Sequence, residues 1–352
     1  MRPGFAATTT RMVESIGLPR LLIGLFLVAL FVITPFIGLR LDTSINDVIL
    51  RFGMNAFLVL SLVPMIKSGC GLNFGLQLGV IAGLLGAVCS LEMQTRGFGG
   101  FFLAIAIATL FGVALGWLYG VILNKVKGNE MVVANYVGFS MVAFMCIMWL
   151  ILPFRSKDMI WAYGGSGLRT TISTQGYWLH VLDDFLAFQI GANIKFPTGT
   201  ILFFALFAFL VSSFFRTRIG TAIVAVGSNP DYARSCGVNV DRMRIISVIL
   251  STVLAAIGII VLEQSFGFIQ LYLGPLYMAF PAVAAVLLGG ASVDKVTIRN
   301  VVIGAILFQG ILTMTPSVIT TLIHSDMSET IRIIVSNGMI VYALTRATGV
   351  RS

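Results

Sequence analysis

Two side-chain amides four residues apart, Asn73 and Gln77, interrupt an otherwise apolar run. On a helix they share one face. An amide inside a membrane-length apolar run is costly unless it is paired or wet. These two therefore either bond to a neighbouring helix or line a path for a solute. Asn135, beside Tyr136 near the start of another run, carries the same two readings. Glu263 and Gln264 close a third run and are followed by SFGFIQLYLGP. A carboxylate there meets a solute at a mouth or sits in interfacial water, and the second is the expectation. Phe266, Phe268, Tyr272, Tyr277 and Phe280 surround that stretch. Their rings either stack on a sugar or base or form an aromatic belt at the membrane surface. Asn73, Gln77, Asn135, Phe266 and Tyr272 are the candidate path residues.

Other chemistries find no support. No HExxH, paired aspartates or Ser/His pair lies within an apolar run, so the chain is not expected to be an enzyme. Cys70, Cys89, Cys146 and Cys236 are far apart with no CxxC spacing, which argues against a zinc site or disulfide framework. His180 and His324 lie in separate polar connections and read as surface residues, so no metal is expected. No Gly-Lys dipeptide occurs, so this chain has no Walker A phosphate loop. The 14 acidic residues fall at or near the ends of apolar runs. That counts against an ion-coupled secondary transporter, which needs carboxylates within its spans.

These residues must be positioned by membrane-spanning helices. The chain of 352 residues is 58% hydrophobic and 11% charged, with mean hydropathy +0.99. Soluble domains carry roughly 25% charged residues. The apolar runs are continuous rather than alternating, which excludes a barrel and suits helices across a ~30 Å core. The predicted fold is all-α and polytopic, one domain over 1–352. It has about ten transmembrane helices, near 21–39, 50–66, 70–91, 101–123, 131–153, 200–215, 245–263, 273–289, 300–316 and 330–345. The basic N-terminal stretch MRPGFAATTTRMVESIGLPR lacks a small-residue cleavage site, so the first span reads as retained. With a cytoplasmic N-terminus, fifteen of the 23 lysines and arginines fall inside and eight outside. That asymmetry accounts for the net charge of +9 through topology, with no need of nucleic acid.

Gly71, Gly75, Gly79 and Gly83 recur every four residues, as do Gly112, Gly116 and Gly120. Such stripes let helix backbones approach closely. Pro275 and Pro281 predict a broken eighth span, as in transporters with interrupted helices. Residues 154–199 form a long extracytoplasmic loop containing a YGGSG turn. Its YWLHVLDDFLAF segment is expected to lie along the membrane as a short helix, with Tyr177 and Trp178 at the interface.

The cytoplasmic connection 216–244 contains AVGSNPDYARSCGVNVDR. Asn229 is a strong N-cap and Pro230 suits the first helical position. Asp231 favours the positive end of the helix dipole, Arg234 lies near its close and Gly237 stops it. The helix, 230–236, is too short to stand alone. Asp241 caps the next span. Either this is an ordinary structured loop or it docks a partner. Ala225, Gly227, Asn229, Ala233 and Gly237 match a loop of ABC importer permeases, which this stretch resembles. Arg234 stands where that family commonly has a second small residue, and Val238 replaces isoleucine. KGNEMVVANYVG (127–138) and GLNFGLQLGVIAGLLGA (71–87) resemble further segments of its branched-chain amino-acid/ribose/nucleoside branch.

The resemblance implies a type II ABC importer permease in a prokaryotic plasma membrane, with both termini cytoplasmic. Gly227, Asn229, Pro230, Ala233, Arg234 and Gly237 would then couple to a separate ATP-binding cassette subunit. Other implied partners are a second permease copy or sister permease and an extracytoplasmic substrate-binding protein. This chain would carry no cofactor, with ATP and Mg bound by the ATPase. The implied substrate is a nucleoside or simple sugar. Related branches carry branched-chain amino acids, riboflavin or a signalling sugar.

Overall fold

A computed structural model describes residues 18–161, 167–190, 194–323 and 327–349. The N-terminal basic stretch before Leu18, His324 and most of the YGGSG turn lie outside the described residues. Each of the ten expected spans coincides with helix. The helices are α1 (Leu18–Ile33), α2 (Leu41–Leu60) continued by α3 (Val63–Lys67), α4 (Leu76–Glu92), α5 (Gly97–Lys125), α6 (Glu130–Ile151) and α7 (Thr198–Phe214). After them come α8 (Arg218–Ser228), α9 (Pro230–Ser235), α10 (Val240–Phe266), α11 (Gly274–Leu288), α12 (Ile298–Ile323) and α13 (Ser328–Gly349). Among the described residues, six helical stretches are long and apolar enough to cross a membrane, or seven if the bent pair α7–α8 is one span. The helices α4 and α11 are apolar but shorter.

The centre of the bundle is α10, packed against α4, α5 and α2. The glycine stripes explain why. A Cβ at Gly79 would lie 2.5 Å from Ala255 Cβ, and one at Gly83 would lie 2.5 Å from the Ala256 carbonyl oxygen. On α5, a Cβ at Gly116 would lie 2.9 Å from Ile249 Cα, and one at Gly120 would lie 3.1 Å from Ile245 Cα. Both stripes thus seat α10 at backbone contact, which a larger side chain forbids. The outward faces of α5 and α6 carry exposed Phe102, Leu110, Trp117, Phe144, Ile147 and Leu150, as lipid-facing surfaces do. We expect Gly83→Leu to cost about 3 kcal/mol or more through overpacking against fixed backbone, read as a lower unfolding temperature in detergent. Gly99→Leu, placed where nothing lies within 4 Å, is expected to be nearly neutral.

Three local expectations are corrected. The third span begins at Leu76, not at residue 70. Its first part is a non-helical break opened by Gly69 (φ 74°) and Gly71 (φ 79°), a left-handed backbone that glycine adopts readily. The eighth span is unbroken: Pro275 occupies the first turn of α11 and Pro281 sits within it. The YWLHVLDDFLAF segment forms turns rather than a surface helix, and Trp178 is fully buried. Trp178 and Leu182 pack down onto the bundle, and hydrogen bonds pin this part of the segment there. The His180 amide donates to the Gln264 carbonyl (2.9 Å) and the Leu182 amide to Gln264 Oε1 (3.2 Å). Four short strands lie on this side of the chain. β1 (Thr171–Ser173) pairs antiparallel with β4 (Phe268–Gln270), Ile172 opposite Ile269, and β2 (Phe188–Ile190) pairs antiparallel with β3 (Ile194–Phe196).

Candidate functional site

At one end of the bundle, α7 turns by 75° into α8. Thr217 caps α8, its Oγ1 accepting from the Gly220 amide at 3.3 Å. Asn229 caps α9 as expected, its Oδ1 accepting from the Tyr232 amide at 2.9 Å, and Pro230 opens the helix. Gly237 follows with φ 82°. The cap of α10 is Asn239, whose Oδ1 accepts from the Arg242 amide at 3.0 Å. Asp241 is instead the first helical turn's acid and pairs with Lys127 at 2.6 Å. The six-residue α9 is held by a small cluster of Val226, Ala233 and Val240. Ala233 is therefore an anchor, while Arg234 and Tyr232 face outward. Arg234 forms an exposed pair with Asp231 at 3.3 Å.

Gly227 faces inward against the end of α3. A Cβ there would lie 2.9 Å from the Gly69 amide nitrogen and would overlap the Lys67 carbonyl. So α8 rests, backbone to backbone, on the break that precedes α4. That break is organised by Asn73. Its Nδ2 donates to Ser251 Oγ (2.9 Å), and Ser251 Oγ donates to the Ser61 carbonyl (2.6 Å). Asn73 Oδ1 accepts from Tyr119 OH (3.0 Å) and from the Gly75 amide (3.0 Å). Asn73 thus ties α5, α10 and the α2–α3 junction together, and it does not share a helix face with Gln77. Gln77 lies fully buried in α4, and neither its amide oxygen nor its nitrogen has a partner. It sits against α6, where a Cβ at Gly138 would lie 2.5 Å from its Oε1. Asn135, one turn earlier on α6, has an unpartnered buried Oδ1.

The connection between α5 and α6 docks on the start of α10. Glu130 pairs with Arg244 at 3.0 Å, with side chains 12% and 11% exposed. Glu130 also accepts from the Gly128 amide at 2.8 Å. Asn124 donates to the Asp241 carbonyl at 2.9 Å. The segments 127–138 and 225–242 are far apart in sequence, yet they meet at the start of α10.

At the opposite end of α10 a cavity of about 220 Å³ opens between α2, α10, α11 and α12. Its polar lining comes from Glu263, Arg51, Asn55, Gln270 and Gln309, and its walls include Met54, Leu58, Phe266 and Tyr277. Glu263 is 1% exposed and neither carboxyl oxygen has a partner. This overturns the expectation of an acid in interfacial water, although Glu263 does lie near the end of its span. The 174–185 segment bonds to Gln264 at the end of α10, while Glu263 lines the cavity. Gln264 turns the other way. Its Nε2 donates to Asp183 Oδ1 (3.2 Å) and Ser265 Oγ (2.6 Å), and Asp183 also accepts from Thr200. Phe266 lines the cavity. Tyr272 does not, and its hydroxyl donates to the Leu168 carbonyl at 3.2 Å. Pro281 lacks an N–H, which deprives the Tyr277 carbonyl of its helical donor. Both residues line the cavity. Arg51, Asn55 and Gln309 were missed in the sequence. The one available signal was polarity within apolar runs on α2 and α12.

Comparison with known proteins places this architecture. Residues 44–344 match the family described as branched-chain amino acid transport system / permease component. The ribose import permease protein RbsC of Escherichia coli K12 is 26% identical over 279 residues, 79% of this chain and 76% of that protein. The autoinducer 2 import system permease protein LsrC of Escherichia coli O9:H4 (strain HS) is 25% identical over 302 residues, 85% of this chain and 78% of that protein. The nucleoside ABC transporter permease protein NupB of Lactococcus lactis subsp. cremoris MG1363 is 25% identical over 198 residues, 54% of this chain and 50% of that protein. The family match spans most of the chain, and the helices are those of a multi-pass membrane protein: the chain belongs to the branched-chain amino acid transport system / permease component family and is an ABC importer permease.

Proposed function

We propose that this permease moves a nucleoside or simple sugar across a prokaryotic plasma membrane. A separate ATP-binding cassette subunit supplies the driving force, binding ATP and Mg outside this chain. The substrate reading draws on the ribose, autoinducer 2 and nucleoside permeases it resembles. Residues 1–352 act as one permease domain with both termini cytoplasmic. Within it, 216–244 is the coupling loop and 154–199 the extracytoplasmic loop. The permease pairs with a second copy or a sister permease and receives solute from an extracytoplasmic binding protein.

One observation carries the coupling role. The capped α8–α9 element presents Tyr232 and Arg234 outward, while Gly227 on the same element touches the Lys67–Gly69 backbone. A push on the outward face is thereby delivered to the break before α4, where Asn73 links three helices. A two-helix connection needs only a few residues, and this one is longer and shaped. The test is a gentle detergent pull-down of tagged permease from its native host, analysed by mass spectrometry. An ATPase chain in near-equal amount, lost when Asn229–Pro230 is replaced by Ala-Ala, is the expected result. Recovery of folded permease with no ATPase overturns the reading.

A further inference from the structure

Among the described residues two acidic side chains are buried, Asp183 and Glu263. The fold uses the first: Thr200, Gln264 and His180 all engage Asp183. It does nothing with the second. Both oxygens of Glu263 are without a partner, and the residue lines the cavity at the far end of α10. A buried carboxyl left without hydrogen bonds is strongly unfavourable. Its retention points to a partner that comes and goes.

The rest of the lining defines that partner's chemistry. Arg51 faces the same cavity as Glu263. A cationic ligand would meet the guanidinium and an anionic one the carboxyl, so the lining favours a ligand without net charge. The amides of Asn55 and Gln309 offer both donors and acceptors. Phe266 and Tyr277 add ring faces, on which the C–H face of a cyclic solute packs. The volume of about 220 Å³ lies below the ~300–1,000 Å³ of drug-sized sites, which suits a single ring.

We propose that Glu263 is a specificity-determining residue of the translocation path. Its carboxyl oxygens accept hydrogen bonds from the hydroxyls of a neutral, single-ring, polyhydroxylated solute held between α2, α10, α11 and α12. This deepens the simple-sugar part of the reading above and rests on it.

The test uses the complete importer in proteoliposomes, with permease, ATPase and binding protein. The probes are labelled pentoses, hexoses and nucleosides, their deoxy analogues, and L-leucine. The binding protein is the same throughout, so its preferences cancel when variant is compared with wild type. Glu263→Leu is expected to lower uptake of the transported sugar about tenfold, the scale of one lost hydrogen bond to a charged or buried group. Glu263→Gln, which keeps an acceptor, is expected to stay within about threefold by the same scale. Glu263→Leu is also expected to erase discrimination against the deoxy analogue that wild type rejects, because rejection depends on leaving this site unpaired. Gel filtration checks the fold. If Glu263→Leu fails to fold, Gln309→Leu on the facing helix decides by the same two readouts. Wild-type uptake and undiminished discrimination in the folded variant overturn the role of Glu263 and leave the substrate class standing. Uptake of L-leucine alone by the wild type overturns the substrate class, and the inference with it.

Discussion

Gly227→Ala is expected to lower solute uptake by the assembled importer about 10- to 100-fold, the scale of a coupling free energy of ~1–3 kcal/mol, while ATP hydrolysis continues. The added methyl would overlap the Lys67 carbonyl and lie 2.9 Å from the Gly69 amide nitrogen. Both are backbone atoms and cannot rotate away. The helix α8 must lift from the break before α4, so movement of α8–α9 no longer reaches Asn73. The exposed residues Tyr232 and Arg234, proposed above to face the ATPase, are untouched, so docking is expected to persist. Uptake and ATP hydrolysis measured on the same proteoliposomes give the answer, with gel filtration as the control for folding. Unchanged uptake, or loss of the folded bundle, would show that the contact is merely structural.

Glu130→Gln is expected to carry a large loss of stability. Glu130 and Arg244 are each about nine-tenths shielded and stand 3.0 Å apart. Arg244 Nε has no partner, so removing the opposing charge leaves a guanidinium buried and uncompensated. Breaking such a pair costs ~3–5 kcal/mol, and the position at the end of the bundle favours the lower part of that range. Replacing both partners, Glu130→Leu with Arg244→Met, is expected to restore much of the loss, because the desolvation of two charges is then avoided. Thermal unfolding in detergent of the single and double variants measures the coupling. A loss under about 1 kcal/mol in the single variant would mean that water screens the pair as it does at a surface.

Gly227 and Glu130 were legible to different degrees. Gly227 belonged to a short punctuated stretch whose capping chemistry is local. Asn229 and Pro230 act within four residues of themselves, so the sequence revealed the small helix and its start. Glu130 stood in a separate segment, and nothing local announced that it would face Arg244. Asp241 was misassigned as a cap because Asn239, two residues earlier, competes for the same role, and the backbone decides which side chain reaches the free amide. Residues 70–75 of the break read as helix in sequence because most of them are apolar or small. Left-handed Gly69 and Gly71 ended the helix despite that hydropathy.

The sequence by itself determined the class, the positions of the main apolar helices and the small helix α9. Each follows from hydropathy over some twenty residues or from capping over four, and neither depends on distant parts of the chain. Tertiary structure alone decided which polar groups within the spans are satisfied. Asn73 finds Tyr119 and Ser251, Gln264 finds Asp183, while Gln77 and Glu263 find nothing. The physical reason is that the partner of a buried polar group lies on another helix. Which helix faces it depends on how the glycine stripes seat α10 among α4 and α5, and a one-dimensional pattern holds no record of that.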